Sequence, residues 1–70
     1  MTRTQRLLTL LQHLRDSRRA VSASALAARH GVSLRTIYRD IDTLRQQGAD
    51  IRGAAGTGFM LHKTDFLLPP

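Results

Sequence analysis

The sequence predicts a mainly α-helical domain with a small β element, in which three helices are followed by a two-stranded hairpin. Three observations lead to this prediction. Apolar residues recur at helical spacing in three segments, and only two residues separate the second segment from the cap of the third. After Gly48 the pattern changes to short alternating runs around a glycine-flanked turn. The chain has 70 residues, which is enough for one small core.

The first helix is predicted over residues 2–16. Thr2 and Gln5 have the spacing of a capping box, which begins a helix. One face of this helix is apolar and consists of Leu7, Leu10, Leu11 and Leu14. Leu8 lies about 100° from that face and is available for a second surface or a partner. Val21 follows as a single strand-like residue.

The second and third helices are predicted to form a tight pair. Ser22 caps residues 23–30, and Gly31 ends that helix because glycine adopts the left-handed turn easily. Ser33 is the cap of the next helix and follows almost at once. Two short helices joined so closely cannot lie antiparallel, so they must cross steeply. Such a pair is a helix-turn-helix unit.

The third helix has two faces when its residues are plotted at about 100° each. Its core stripe is predicted to consist of Leu34, Ile37, Ile41 and Leu44. The opposite, polar face contains Arg35, Thr36, Arg39, Thr43 and Gln46. Tyr38 is at the border, with its ring toward the core and its hydroxyl toward solvent. The aliphatic stripe therefore anchors the helix and leaves the arginines free.

Residues 49–55 and 59–63 are predicted to form two strands on either side of "GTG". The inner face would contain Ile51, Phe59 and Leu61, and the outer face Arg52, Met60 and His62. Two strands alone are marginally stable, so the hairpin must pack on the helices. The predicted fold class is therefore mainly α with small β, a winged helix-turn-helix of three helices plus a two-stranded wing.

The charge of the chain favours an anionic partner. Eleven Lys and Arg residues against five acidic residues give a net charge of +6, and ten of the eleven are arginine. Arginine favours bidentate contact with phosphate or base edges. We therefore predict sequence-specific binding of double-stranded DNA. The alternative is a winged-helix protein-interaction or dimerisation module without DNA readout, whose docking face should be apolar or mixed rather than basic.

Other functions are not expected from this composition. There is no nucleophile, paired acid or phosphate loop that would indicate an enzyme. The three histidines fall in different predicted elements and the chain has no cysteine, so neither a metal site nor a cofactor is expected. No apolar run approaches the length of a membrane span. These features predict a small soluble cytoplasmic domain with no membrane partner.

The segments "VSLRTIYRDIDTLRQQGADI", "GFML" and "FLLPP" together resemble the N-terminal domain of WYL-domain transcriptional regulators, the DeoR/YafY-like group. This resemblance implies a winged helix-turn-helix domain at residues 1–63. Residues 64–70 would begin a linker to an absent C-terminal, ligand-sensing domain of the WYL type. The isolated domain is then expected to be mainly monomeric and the full-length parent a homo-oligomer.

The resemblance also assigns candidate DNA contacts. On the recognition helix these are Ser33, Arg35, Thr36, Tyr38 and Arg39, and at the start of the supporting helix they are Ser22 and Ser24. Thr43 shares the polar face of the recognition helix. The wing tip "AAGTG" carries no Lys or Arg, so only Arg52, Thr57 and backbone amides remain there as candidates.

The chemistry of four further charged residues predicts their surroundings. Arg18 and Arg19 suit either a phosphate contact or a solvated loop. Asp40 cannot usefully face phosphate and is expected to pair with an arginine of another helix. Asp42 is expected to hold Arg39 or Arg45 in position.

Overall fold

A computed structural model of the protein describes residues 2–54 and 56–62, which form three helices followed by two antiparallel strands. The elements are α1 (Arg3–Asp16), α2 (Ala23–His30), α3 (Leu34–Gln46), β1 (Ile51–Ala54) and β2 (Gly58–Leu61). The predicted fold class, three helices plus a two-stranded wing, is confirmed. The segment predicted as a linker, residues 64–70, lies outside the described residues.

Each helix begins at the residue that the sequence predicts as its cap. The Thr2 hydroxyl accepts a hydrogen bond from the backbone N–H of Gln5 at 3.1 Å, and the Gln5 side chain accepts one from the Thr2 N–H at 2.9 Å. The Ser22 and Ser33 hydroxyls cap α2 and α3 by accepting from the backbone N–H three residues later. Gly31 ends α2 with a φ of 66°, a left-handed conformation that favours glycine. These caps satisfy backbone donors that a helix leaves unpaired.

The core is one cluster to which all five elements contribute. Its members are Leu7, Leu10, Leu11, Leu14, Ala23, Leu26, Ala27, Ile37, Ile41, Leu44, Ala49, Ile51 and Phe59. The predicted apolar face of α1 is therefore buried as a whole, and it packs beneath the helix-turn-helix pair. Because the domain is small, most of its large aliphatic residues are needed in this one cluster.

The core stripe of α3 differs from the prediction at its first residue. Ile37, Ile41 and Leu44 are at most 2% exposed, but Leu34 is 44% exposed. Leu34 begins α3, and side chains on a helix tilt toward its N-terminus. Its side chain therefore covers surface ahead of the helix rather than the core beneath it. The fourth buried residue of α3 is Asp40 instead.

The wing is attached to the helical core by β2. Phe59 is buried, and it exchanges two backbone hydrogen bonds of 2.8 Å with Val21, a residue of the loop between α1 and α2. Gly58 lies so close to this loop that an added Cβ would be 3.1 Å from the Val21 carbonyl carbon. The predicted strand-like character of Val21 is confirmed by this bridge. The wing is thus fixed at its base by backbone contacts.

Both strands are shorter than predicted, with four residues each. β1 begins only at Ile51 because the Ala49 N–H still donates to the Leu44 carbonyl and so completes the end of α3. Gly58 belongs to β2 rather than to the turn, since it pairs with Ala54. The predicted inner face is confirmed for Ile51 and Phe59, which are buried.

Candidate nucleic-acid interface

The outward face of α3 carries two exposed arginines, Arg35 and Arg39. They are four residues apart, so they lie on one side of the helix, opposite the buried Ile37 and Ile41. Within the described part of the chain neither guanidinium makes a hydrogen bond or an ion pair. Each guanidinium offers five N–H donors in a planar fork. Both side chains are therefore available to an acceptor outside the protein.

The hydroxyl groups of Ser33, Thr36 and Thr43 already have partners within the domain. Ser33 accepts from the Thr36 N–H and donates to the Thr36 hydroxyl, both at 3.1 Å. Thr43 donates to the Arg39 carbonyl at 2.9 Å and accepts from Arg3 of α1 at 3.3 Å. Thr43 therefore lies on the flank of α3 that faces the start of α1, to the side of the two free arginines.

A buried ion pair fixes α3 against α1. Arg6 donates to the Asp40 carboxylate through Nε at 2.7 Å and through Nη2 at 3.1 Å. Asp40 is only 2% exposed, and this hydrogen bonding raises the pKa of the Arg6 guanidinium. The predicted pairing of Asp40 with an arginine of another helix is confirmed. Because the pair is bidentate, it restrains the rotation of α3 and thereby the direction of its outward face.

The last turn of α3 is tied to the wing by Arg45. Its Nε donates to the Ile51 carbonyl at 2.8 Å and its Nη2 to the Gly53 carbonyl at 3.1 Å. The guanidinium also lies 5.7 Å from the centre of the Phe59 ring, within cation–π range. The prediction that Asp42 holds Arg39 or Arg45 was wrong. Asp42 accepts from Gln46 instead, one helical turn later at 3.2 Å.

The two wing candidates also have intramolecular partners. Arg52 donates to the Asp50 carboxylate at 3.1 and 3.3 Å, in an ion pair that remains largely exposed. The Thr57 hydroxyl accepts from the Ala54 N–H at 3.1 Å and so closes the turn. A nearby acidic residue partly neutralises the charge that Arg52 could offer to a phosphate. The wing therefore presents much less free positive charge than α3.

The remaining candidates are Tyr38 on α3 and two serines at the start of α2. Tyr38 is 41% exposed, and its ring meets the Phe59 ring edge-on with 6.3 Å between centroids. Its predicted position at the border of the core is confirmed. At the start of α2, the Ser22 hydroxyl accepts from the Ala25 N–H at 3.1 Å, and Ser24 is exposed in the first turn. The free N–H groups of a first helical turn are donors suited to phosphate.

A family model described as an HTH domain matches residues 6–60, which is most of the chain. The chain belongs to the HTH domain family. This membership agrees with the closely joined α2–α3 pair and indicates DNA binding. Neither a curated protein nor a solved structure matches the chain. Among the described residues of this HTH domain, no helix is both long and apolar enough to cross a membrane.

The HTH domain brings two histidines together that the sequence places in separate elements. His13 Nδ1 on α1 and His30 Nε2 on α2 are 3.1 Å apart, and both rings are partly buried. Burial lowers the pKa of His30, and the positive charges of His13 and Arg29 act in the same direction, against the opposing charge of Asp40. In the described ranges, no three His, Cys, Asp or Glu residues are grouped to hold a metal ion.

Proposed function

We propose that this HTH domain binds double-stranded DNA in a sequence-specific manner, as the operator-reading part of a transcriptional regulator. The observation that carries the proposal is the pair of free guanidinium groups, Arg35 and Arg39, on the outward face of the second helix of the HTH unit. The N-terminal residues of that helix are the ones that contact base edges in helix-turn-helix complexes. Both arginines lie in its first two turns.

In this proposal α3 enters the major groove. Arg35 and Arg39 donate to the acceptors of base edges, of which guanine O6 and N7 suit a guanidinium best. Thr36 contacts a base or a thymine methyl group from the same helix. Ser33 and Tyr38 lie beside them, and their hydroxyls suit phosphate oxygens.

The phosphate backbone would be contacted on both sides of the groove. Ser22 and Ser24 serve this purpose at the start of α2, where backbone N–H groups point outward. Arg52 and Thr57 are the candidates on the wing, and Thr43 is the outermost candidate of α3. Since only Arg52 of this set carries a positive charge, most of these contacts would be hydrogen bonds without charge neutralisation.

The parent protein is proposed from the resemblance to WYL-domain regulators. Residues 64–70 would lead into a C-terminal domain that senses a ligand and supplies most of the dimer contact. The isolated chain is then mainly monomeric, and the parent binds two half-sites about 10 bp apart or a multiple of it. Sedimentation of the 70-residue chain tests this arrangement, since a tight dimer would contradict it.

The proposed function is tested by selecting bound DNA from a random duplex library and measuring the affinity for the selected site. Arg35→Ala and Arg39→Ala should each cost about 1–3 kcal/mol of binding free energy if they contact bases. Arg15→Ala is the matched control, because it removes an exposed arginine from α1. Circular dichroism confirms that each variant is folded. Full affinity in both α3 variants would contradict the assignment of α3 as the recognition helix.

One observation favours the alternative, a protein-interaction module. Leu8 is 52% exposed and borders a shallow cavity of about 260 Å³ on α1, which Leu11, Gln12 and Arg15 also line. The two functions respond differently to salt. DNA binding weakens steeply as salt rises, because cations released from the duplex drive it. Apolar association does not weaken in this way, so titrations with random duplex at two salt concentrations separate the hypotheses.

A further inference from the structure

The first residue of α3 has an apolar side chain that is exposed rather than packed in the core. Leu34, the first residue of α3, is 44% exposed although it continues the spacing of the buried stripe. Tyr38 is on the same flank one turn later and is 41% exposed. Tyr38 rests on Phe59, whereas about half of Leu34 remains open to a molecule outside the domain.

Leu34 shares the first two turns of α3 with Arg35 and Arg39, which lie about 100° and 140° around the helix from it. At about 100° per residue, Arg35 lies to one side of Leu34 on the helix surface, and Arg39 lies one turn beyond Arg35. The first turns of α3 therefore combine two guanidinium groups with one exposed aliphatic group. A duplex offers a matching combination in its major groove, where most groups are polar but thymine presents one apolar C5-methyl group.

We propose that Leu34 is a specificity-determining residue that contacts a thymine methyl group next to the base pairs bound by Arg35 and Arg39. This inference rests on the proposed function, because it requires α3 to enter the major groove. Leu34 would add preference for thymine at one position of the site, while the arginines select guanine. Burial of a methyl group against an aliphatic side chain stabilises the complex through the hydrophobic effect, without any hydrogen bond.

Charge favours DNA over a second copy of the chain as the molecule that covers Leu34. The exposed charged groups in the same two turns of α3 are Arg35 and Arg39, and the chain carries a net charge of +6. Two copies docked through this flank would bring like charges together in a low-dielectric contact, which is unfavourable. A polyanion with an apolar methyl group in its groove satisfies both kinds of side chain at once.

The test replaces each thymine of the selected site, one at a time, with deoxyuridine, which lacks only the methyl group. We expect one replacement to weaken binding of the wild-type chain about 3- to 5-fold, the effect of one buried methyl group. In Leu34→Ala the same replacement should have almost no effect, because the aliphatic partner is gone. Leu8→Ala is the matched control, since Leu8 is a similarly exposed leucine on α1, and it should keep the full deoxyuridine effect.

The possible results are distinguishable. If the wild-type chain selects a site but no deoxyuridine replacement weakens binding, the inference about Leu34 is wrong and the proposed function stands. The same holds if Leu34→Ala keeps the full deoxyuridine effect. If the chain selects no sequence at all, the proposed function itself fails. Leu34→Gln provides a second variant of similar length, and it should also lose the effect if Leu34 contacts the methyl group.

Discussion

The helical part of the domain and the wing use their arginines in opposite ways. In the helical part, Arg6 pairs with the buried Asp40 carboxylate. Arg35 and Arg39 of α3 have no hydrogen-bond or ion-pair partner among the described residues. Among the described residues of the wing, the one cationic side chain, Arg52, is paired with Asp50 on the surface. Arg45, which joins the two parts, donates to backbone carbonyls. The comparison indicates that α3 supplies charge for a ligand, whereas the wing is mainly a braced structural element.

The two parts also differ in how they are held together. The helices pack through large aliphatic side chains that are almost completely buried. The wing depends on Phe59, on its backbone hydrogen bonds with Val21, and on carbonyls that accept from the Arg45 guanidinium. Removing one aliphatic side chain from the helical core should therefore affect the whole fold. Removing an exposed apolar side chain from the wing should have little effect.

The largest effect is expected for Ile41→Ala, which removes a buried side chain of α3 at the centre of the helical core. Its free energy of unfolding should fall by about 2–5 kcal/mol, a large share of the stability of a small domain. Met60→Ala in β2 is the matched control, because Met60 is 41% exposed and its loss should cost less than about 0.5 kcal/mol. Urea unfolding followed by circular dichroism measures both. Equal losses would show that the helical part is not the main source of stability.

The next largest effect is expected for Arg6→Met, which leaves the Asp40 carboxylate buried without its partner. It should cost about 1–3 kcal/mol of unfolding free energy, because the carboxylate loses two charge-assisted hydrogen bonds. The Arg6 side chain is 26% exposed, so water can replace part of what is lost. Arg52→Met breaks the exposed wing pair and should cost no more than about 1 kcal/mol.

The double variant Arg6→Met with Asp40→Leu tests whether the cost of Arg6→Met comes from the unpaired Asp40 carboxylate or from the lost packing of the Arg6 side chain. If the cost of Arg6→Met comes from the unpaired carboxylate, the second substitution should recover most of the stability, since two apolar residues can replace a buried ion pair. No recovery would mean that Arg6 acts mainly by packing.

The sequence was sufficient for most of the fold and for only part of the site. Caps at Thr2, Ser22 and Ser33 and the left-handed Gly31 are local signals, so they predict the helix bounds well. Leu34 shows the limit of the helical periodicity. The spacing of apolar residues identifies the face of a helix that points to the core, but it does not show how far along the helix the core extends. Its exposure depends on the position of the neighbouring elements, which one helix cannot reveal.

Contacts between distant residues were less predictable. A buried aspartate on a basic recognition helix indicates a cationic partner, but nothing in the sequence selects Arg6, which is 34 residues away. Arg45 binds backbone carbonyls, which every residue has, so no residue pattern identifies its partners. The contact of His13 with His30 likewise depends on how α1 and α2 cross. These three contacts are products of tertiary packing.

A smaller effect is expected when positive charge is added to the wing tip. Gly56→Lys is the suitable change, because no atom of the described residues, chain neighbours aside, lies within 4 Å of a Cβ added there, whereas the Thr57 hydroxyl closes the turn. We expect the wild-type chain to form about 2–4 ionic contacts with DNA, and the added lysine to steepen the log–log salt dependence by about one unit. Affinity should rise for all sequences alike.

Gly56→Ala is the control for the loss of glycine at this position. It should leave the salt dependence unchanged, because it adds no charge. If Gly56→Lys also has the wild-type salt dependence, the wing tip does not approach the DNA backbone. The domain would then bind through α3 and the start of α2 alone. The helical part would provide all DNA contacts and the wing none.

The smallest effect on the free energy of unfolding is expected from a change of pH, and it should arise from His30 in the helical part. Burial, together with the charges of His13 and Arg29, lowers the pKa of His30 in the folded chain below its ordinary value of 6.5. Between the lowered value and 6.5 the unfolded chain binds more protons than the folded chain. The free energy of unfolding should therefore fall as the pH decreases through this window and be insensitive to His30 above it.

Urea unfolding at a series of pH values from about 5 to 8, around the ordinary histidine pKa, measures this contribution. His30→Gln should remove part of the decrease, because glutamine keeps a polar group beside His13 but does not titrate. His62→Gln is the matched control, since His62 is exposed after β2. It should retain the wild-type dependence, because it leaves His30 and its surroundings unchanged. If His30→Gln and the wild-type chain lose stability equally as the pH falls, the contact between α1 and α2 does not oppose protonation of His30. The pH dependence would then have to arise from other groups in the chain.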